Sequence, residues 1–310
     1  MVRYVALGKE SSFGAEASPT RYIDLARESF TTRHDWIIPE LASARWPKYA
    51  LKGPIRVEGS LDMYVRPDNI GEVLLAALGS VNTSQPDATN APSVYLHEFT
   101  PADSLPSYTI HVVSEVTGRK FLGCVARGLE LTVAAGAELL GASLDVVGKE
   151  EQALTPGTPS FSTLPFFSFA DLSEFLVGGS AVSVRALSVR VENDLVDDFY
   201  RLGDRTLPEI PVRGFNVEGS FDVQFKDRTH LDRFLNAEET SIKATFRGPE
   251  IEGGYCNELV IDLPRVVYTA AGANIDRREV MVEGVEFKAL YDETTGYIVK
   301  ATLQNAVSGY

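Results

Sequence analysis

Cysteine is nearly missing from this chain of 310 residues: only Cys124 and Cys256 are present, one in each half. Two isolated thiols cannot build a disulfide framework or a cysteine-rich metal site. Histidine is almost as scarce. His34, His97, His111 and His230 are scattered, with no HExxH pattern and no close His/Cys pair. Structural roles are expected for all four, and neither a cofactor nor a metal is expected. Uninterrupted apolar runs of about 18 residues are missing as well, so no membrane partner is expected. The start, MVRYVALGKESSFG, is broken by Arg3, Lys9 and Glu10 and has no apolar stretch of signal-peptide length. The expectation is a protein that folds in the compartment where it is made. Positive charge is in deficit, with 29 Lys and Arg against 43 Asp and Glu and a formal net charge of −14. Such a chain is poorly suited to holding the phosphates of nucleic acid or an anionic lipid surface.

Catalytic signatures are also missing. Neither GxSxG nor a P-loop is present; GKESS at 8–12 has Gly-Lys without the preceding glycine that a phosphate cradle needs. Adjacent carboxylates occur at Glu150-Glu151, Asp197-Asp198 and Glu238-Glu239, all in polar, loop-like sequence. An acid/base dyad needs one member desolvated so that the two pKa values separate, and nothing in these contexts does that. No enzyme is expected.

What the chain has in plenty is strand signal. Short runs rich in Val, Leu, Phe, Tyr and Thr alternate with Gly, Pro, Asn and Asp. They predict strands at 20–30, 55–65, 94–99, 107–116, 120–134 and 138–148, then at 181–193, 212–225, 240–247, 256–271, 279–290 and 297–305. Only two helices are predicted. Over Asn69–Leu78, Ile70, Val73, Leu74, Ala77 and Leu78 form one apolar stripe, with Asn69 and Glu72 placed as a capping box and Gly79 as the stop. Over Arg228–Asn236, Leu231, Phe234 and Leu235 repeat that spacing behind Asp227 as N-cap.

These elements recur in order. VEGSLDMYV at 57–65 is matched by VEGSFDVQF at 217–225, and each is followed in step by its helix. Downstream, GLELTV (128–133) pairs loosely with NELVIDL (257–263). Within the repeated strand, Val57, Gly59, Leu61, Met63 and Val65 face one way and Glu58, Ser60, Asp62 and Tyr64 the other. One side packs on a core and the other is wet. The fold class is mainly β (α+β), one β-rich unit present twice.

The opening, LGKESSFGAEASPTRYIDLARES (7–29), carries a G-x-E-x-x-x-G segment at Gly8, Glu10 and Gly14, then Pro19-Thr20 and the apolar pair Tyr22-Ile23. With GPIRVEGSLDMYVRPDNIGEVLLAALGSV (53–81), FTPADSLPSYTIHV (99–112) and LDVVGKEE (144–151), it resembles the two-domain tail tube proteins of long-tailed bacteriophages. The likeness is strongest over 1–150 and looser over 181–310. It implies two tandem tail-tube-like domains, each with two packed antiparallel sheets and one flanking helix: 1–150, a connector 151–180, and 181–310. It also implies trimeric rings of six similar domains, stacked into the conduit for DNA ejection in the virion tail and made in the bacterial host cytoplasm. The partners it implies are further copies of the chain, tape measure protein, tail terminator and tail tip proteins, and double-stranded DNA passing without tight binding.

Two sets of residues fit that reading. Glu58, Asp62, Glu130, Glu218, Asp222 and Asp262 are lumen-lining candidates, because an acidic bore repels DNA weakly and lets it slide. The segment 31–53 is expected to be an irregular inter-ring arm, with Trp36, Trp46, Arg33, Arg45 and Lys48 at the interface, since long loops and tryptophans gather at contact sites. Alternatives are the tube of a secretion system or tail-like bacteriocin, a carbohydrate-binding β module, and a glycosidase-like enzyme on a β scaffold.

Overall fold

Period-two alternation becomes antiparallel strand almost throughout. The computed structural model describes residues 3–136, 138–273 and 282–310. In chain order the first half contains β1 (Tyr4–Lys9), β2 (Arg21–Ile23), β3 (Leu25–Glu28), β4 (Thr31–Ile37), β5 (Leu51–Tyr64), α1 (Ile70–Leu78), β6 (Gly79–Ser84), β7 (Tyr95–Pro101), β8 (Tyr108–Val113), β9 (Gly118–Ala134), β10 (Gly141–Gly148) and β11 (Glu150–Leu154). The second half contains β12 (Leu172–Val177), β13 (Ser180–Ala181), β14 (Val184–Leu195), β15 (Val212–Gln224), α2 (Thr229–Leu235), β16 (Thr240–Glu252), β17 (Tyr255–Ala273), β18 (Val282–Ala289) and β19 (Lys300–Asn305). Residues 279–281 of the strand expected over 279–290 lie outside the described residues.

The repeat is visible in the registers. Leu25 faces Met63, the next residue is bulged, and Arg27 faces Asp62. In the second half Val184 faces Val223, the next residue is bulged, and Ala186 faces Asp222. Asp145 stands opposite Ser60 and Gly128, and Glu286 stands opposite Ser220 and Ala270. So β3 with β4 corresponds to β14, β5 to β15, β9 to β17, and β10 with β11 to β18 with β19. Gly128 therefore matches Ala270, and the pairing of GLELTV with NELVIDL by sequence is corrected. The true partner contains Ala270, Ala271 and Gly272, which share no side-chain type in order with Gly128, Leu129 and Glu130.

Each half is a sandwich. One sheet of the first half runs β2-β1-β8-β9-β11, and its counterpart in the second runs β13-β12-β16-β17-β19, with β7 and β6 added beside β19. The other sheets of the two halves are continuous: β4-β5-β10-β9-β14-β15-β18-β17, eight strand positions, with β3 sharing β4's place. The joint is β9 with β14, where Leu129 faces Val191 and Glu130 faces Arg190. Val57, Leu61, Met63, Leu129, Val189, Val191, Val217 and Phe221 point from this sheet into the core, and all are buried.

Gly59 and Gly219, the shared glycines of the VEGS repeat, are fixed by close approach rather than by turn geometry. A Cβ on Gly59 would lie 2.7 Å from Phe30 Cα, and one on Gly219 would lie 2.4 Å from Ser188 O and 2.5 Å from Phe287 Cζ. Gly219→Ala is expected to lower stability by about 1–3 kcal/mol, the usual range for overpacking a core. A shift of the urea midpoint at unchanged slope would measure it.

The two helices have different fates. All nine residues of α1 are buried, Gly79 closes it in the left-handed conformation (φ +94), and its N–H donates to Leu75 O. Asn69 makes no side-chain cap bond and Glu72 is itself buried, so the predicted capping box is absent. Burial pushes the Glu72 carboxyl up, as expected for a carboxylate moved out of water. At α2 the N-cap is Arg228 and not the predicted Asp227, whose carboxylate accepts from Thr229 N–H (2.9 Å) from one residue further out, and no residue of α2 is buried.

Candidate functional site

The wet face of the eight-stranded sheet is strongly acidic. Glu58, Asp62, Glu218 and Asp222 stand on equivalent positions of β5 and β15, and Glu130 lies between them on β9. Asp145 and Glu286 on β10 and β18 extend the same face. Ser143 Oγ donates to Asp62 Oδ1 (2.6 Å), and Ser188 Oγ donates to Glu130 Oε1 (3.0 Å). Arg190 sits at the joint, 3.8 Å from both Glu130 and Asp145, and Lys288 faces Glu218. Interspersed cations thus relieve part of the like-charge repulsion, and exposed pairs of this kind contribute little to stability.

The structure therefore gathers five of the six predicted acidic candidates on one face. Asp262 is elsewhere. It lies in the first part of β17, between Lys243 and Lys300, and accepts a bond from Tyr297 (2.6 Å) on the second half's other sheet, β13-β12-β16-β17-β19. A sequence pattern of alternation could not reveal that one long strand passes from one sheet into the other.

The segment 31–53 is not an irregular arm. Thr31 to Ile37 and Leu51 onward pair as a two-stranded ribbon, Ile37 facing Leu51, and only the tip at 38–50 is free of strand. The stem is held by the second half: Arg205 Nε donates to Gly53 O (2.8 Å), and Tyr200 OH donates to Ile55 O (2.9 Å). Arg33 belongs to this stem, where it pairs with Glu58 (3.3 Å) beside the acidic face. Trp36, Arg45, Trp46 and Lys48 are toward the tip, and all are exposed; Trp46 keeps 67% of its surface in water.

The connection between β14 and β15 occupies the same place in the second repeat. Its inner part packs down, with Leu207 and Ile210 buried on Val125 and Val147 of the first half. Its outer part does not, and Phe199 and Leu202 are exposed. Each repeat therefore carries exposed apolar side chains at the same end of the molecule. Sequence reading found one set through its tryptophans and missed the other, which has no tryptophan to mark it.

A second feature passed unread is the role of Glu10. Its carboxylate is buried and accepts four hydrogen bonds: from Gly14 N (2.7 Å), Ser107 Oγ (2.7 Å), Thr109 Oγ1 (2.9 Å) and Gly123 N (2.9 Å). The G-x-E-x-x-x-G spacing is thus a structural knot tying the β1–β2 loop to β8 and β9. Gly14 supplies φ +76, and a Cβ on Gly8 would lie 2.5 Å from Ser18 O.

Among the described residues no helix is long and apolar enough to cross a membrane, and no three His, Cys, Asp or Glu side chains are grouped to hold a metal ion. His97 is fully buried, linked to Thr83, Asn305 and Val307, and burial holds its imidazole below the ordinary range. The family model described as phage tail tube protein matches residues 2–289. No curated protein matches the chain.

Proposed function

The chain belongs to the phage tail tube protein family, and we propose that it acts by closing into rings of three copies that stack into a conduit for DNA. Its role is structural and its place is the virion tail. The observation that carries the ring is the joint between β9 and β14. Two repeats are already joined edge to edge, which among the described residues leaves one unpaired strand border at each end of an eight-stranded sheet. Unpaired borders recruit further strands. A head-to-tail contact of this kind closes into a ring when the rotation permits, and a tandem repeat supplies half of the contacts within each chain.

Three copies would place about 24 strands in one barrel. With strands about 4.8 Å apart and tilted about 40°, opposite backbones would lie roughly 45–50 Å apart, wide enough for a DNA duplex after side chains are added. The second sheets and both helices pack on one face of the eight-stranded sheet. That bulkier layer takes the longer outer circumference, so the acidic face turns inward. The first domain is completed by β11 and the second opened by β12, with 155–171 left as connector. Tape measure, terminator and tip proteins are the partners this reading calls for, with assembly in the host cytoplasm.

Negative-stain microscopy of the purified chain at rising concentration, and of tails containing it, tests the reading. Rings or tubes of constant width are expected. The lining is tested separately. Glu58→Lys with Asp62→Lys is expected to slow DNA release roughly tenfold in particles of normal length, because each lysine adds a phosphate contact along the bore. Unchanged release kinetics would place the acidic face outside the bore.

A further inference from the structure

Resting on the ring reading, the internal repeat fixes which strands meet between copies and in what register. We propose that the last part of β17 in one copy pairs antiparallel with β3 and β4 of the next, with Ala271 opposite Thr32 and Gly272 opposite Thr31.

The joint seen within the chain carries over to the next copy by equivalence of the repeats. Within the chain, β9 pairs with β14 so that Leu129 faces Val191 and Glu130 faces Arg190. Leu129 corresponds to Ala271, and Glu130 to Gly272, through their places opposite β10 and β18. Val191 faces Val217 and Arg190 faces Glu218, as Thr32 faces Val57 and Thr31 faces Glu58. Thr32 and Thr31 are therefore the counterparts of Val191 and Arg190. Both borders are open among the described residues. β4 pairs only with β5 among the described residues, and beyond Val266 the described part of β17 pairs only with β18.

The helices point to the same neighbour. α1 is covered by β7 and β6, which extend the second half's sheet from β19, and by the Tyr310 ring against Gly71. β6 and β7 belong to the same half as α1, so the helix is covered by its own hairpin, which is laid against the following repeat's sheet. α2 has no following repeat in its own chain, and Leu235 is 62% exposed. The counterpart of β19 in the next copy is β11, whose outer border is unpaired among the described residues. Pairing β17 with β4 would set that β11 relative to α2 as β19 stands to α1, with no counterpart of β6 and β7 between them.

Disulfide trapping tests the register. Directly opposite residues have Cβ atoms about 4.5–5.5 Å apart and diagonal ones about 7–8 Å, while a disulfide needs about 3.5–4.5 Å. Only the opposed pair is within easy reach. The full chain carrying Thr32→Cys and Ala271→Cys in a Cys256→Ser background is assembled into tails under reducing conditions, then oxidised and run on non-reducing gels. The expected result is a ladder that ends at a covalent trimer and collapses with dithiothreitol. Ala271→Cys with His34→Cys, two residues out of register, should trap roughly tenfold less. Should the double variant not assemble, co-assembly of the two single variants is expected to give a covalent dimer alone. Tubes that form without the Thr32–Ala271 cross-link, or with equal trapping at His34, overturn the register and leave the tube reading standing. A wild-type chain that never gives rings or tubes, alone or in tails, overturns the tube reading itself.

Discussion

Glu10→Ala is expected to cost about 3–5 kcal/mol, the largest loss from any single side chain outside the apolar core. Four donors lose their acceptor at once, two of them backbone N–H groups of Gly14 and Gly123 that cannot turn elsewhere. A buried donor left unpaired costs about 1–3 kcal/mol, and water entering the gap recovers only part of the sum. Against a total stability on the order of 5–15 kcal/mol, such a loss removes much of the margin. Glu10→Gln sharpens the argument. Either orientation of the amide aims its NH2 at one of the two glycine N–H groups, and only Ser107 or Thr109 can rotate a hydroxyl to accept. The glutamine variant should therefore fall between wild type and alanine. Ser107→Ala should cost only about 1 kcal/mol, since the carboxylate keeps three donors. Urea unfolding followed by far-UV circular dichroism gives the order. A glutamine variant as stable as wild type would mean that the knot does not depend on an acceptor-only group.

How much of this was legible follows from where the signal lives. The VEGS strand and its helix could be read because alternation and the helical stripe are local, and the buried face at Val57, Leu61 and Met63 follows directly from period two. The second half's strand could be matched to the first for the same reason. β9 and β17 could not be aligned by sequence, because the core tolerates Ala271 where Leu129 stands in the first half, and only opposition to β10 and β18 reveals the match. β1, β6, β11 and β12 were missed; β1 is a short apolar run, YVAL, with no alternation to mark it. β6 and β11 carry polar residues, and β12, LSEFLV, begins within a connector rich in Pro, Ser and Phe. The ribbon at 31–53 was taken for irregular chain because Trp, Pro and charge break its alternation. The ladder between β4 and β5 is set by the partner strand, which single-strand patterning does not contain. The acidic site was legible to the extent that its residues share the VEGS strand. Asp262 shows the limit, since its face is decided by a sheet crossing that has no local signature.

The second large effect is expected at the exposed tips. In a barrel the strands run along the axis with a tilt of about 35–45°, so connections at their ends emerge at the rim of a ring. The 38–50 tip and the 199–202 stretch are equivalent connections that each expose apolar groups, and in the proposed ring both would emerge at that rim. Three copies would present six such tips in a circle, alternating between Trp46 with Tyr49 and Phe199 with Leu202. Burying large aromatics at a contact centre is where binding free energy concentrates, commonly at 2 kcal/mol or more for each hot-spot side chain. Because the contact repeats around the ring, removing one aromatic from each copy weakens stacking several times over, and tube growth should fail almost completely. Trp46→Ser and the double variant Phe199→Ser/Leu202→Ser are thus each expected to abolish tubes. The fold should be spared, since these side chains touch little within their own chain. The readout is a comparison of ring and tube populations by microscopy, alongside the urea midpoint. Intact midpoints with rings but no tubes are the expected result. Tubes of normal length from both variants would remove the tips from the stacking contact. Loss of rings together with tubes would instead put the tips in the lateral seam, where the inner half of the 196–211 connection, through Leu207 and Ile210, already packs against the first half.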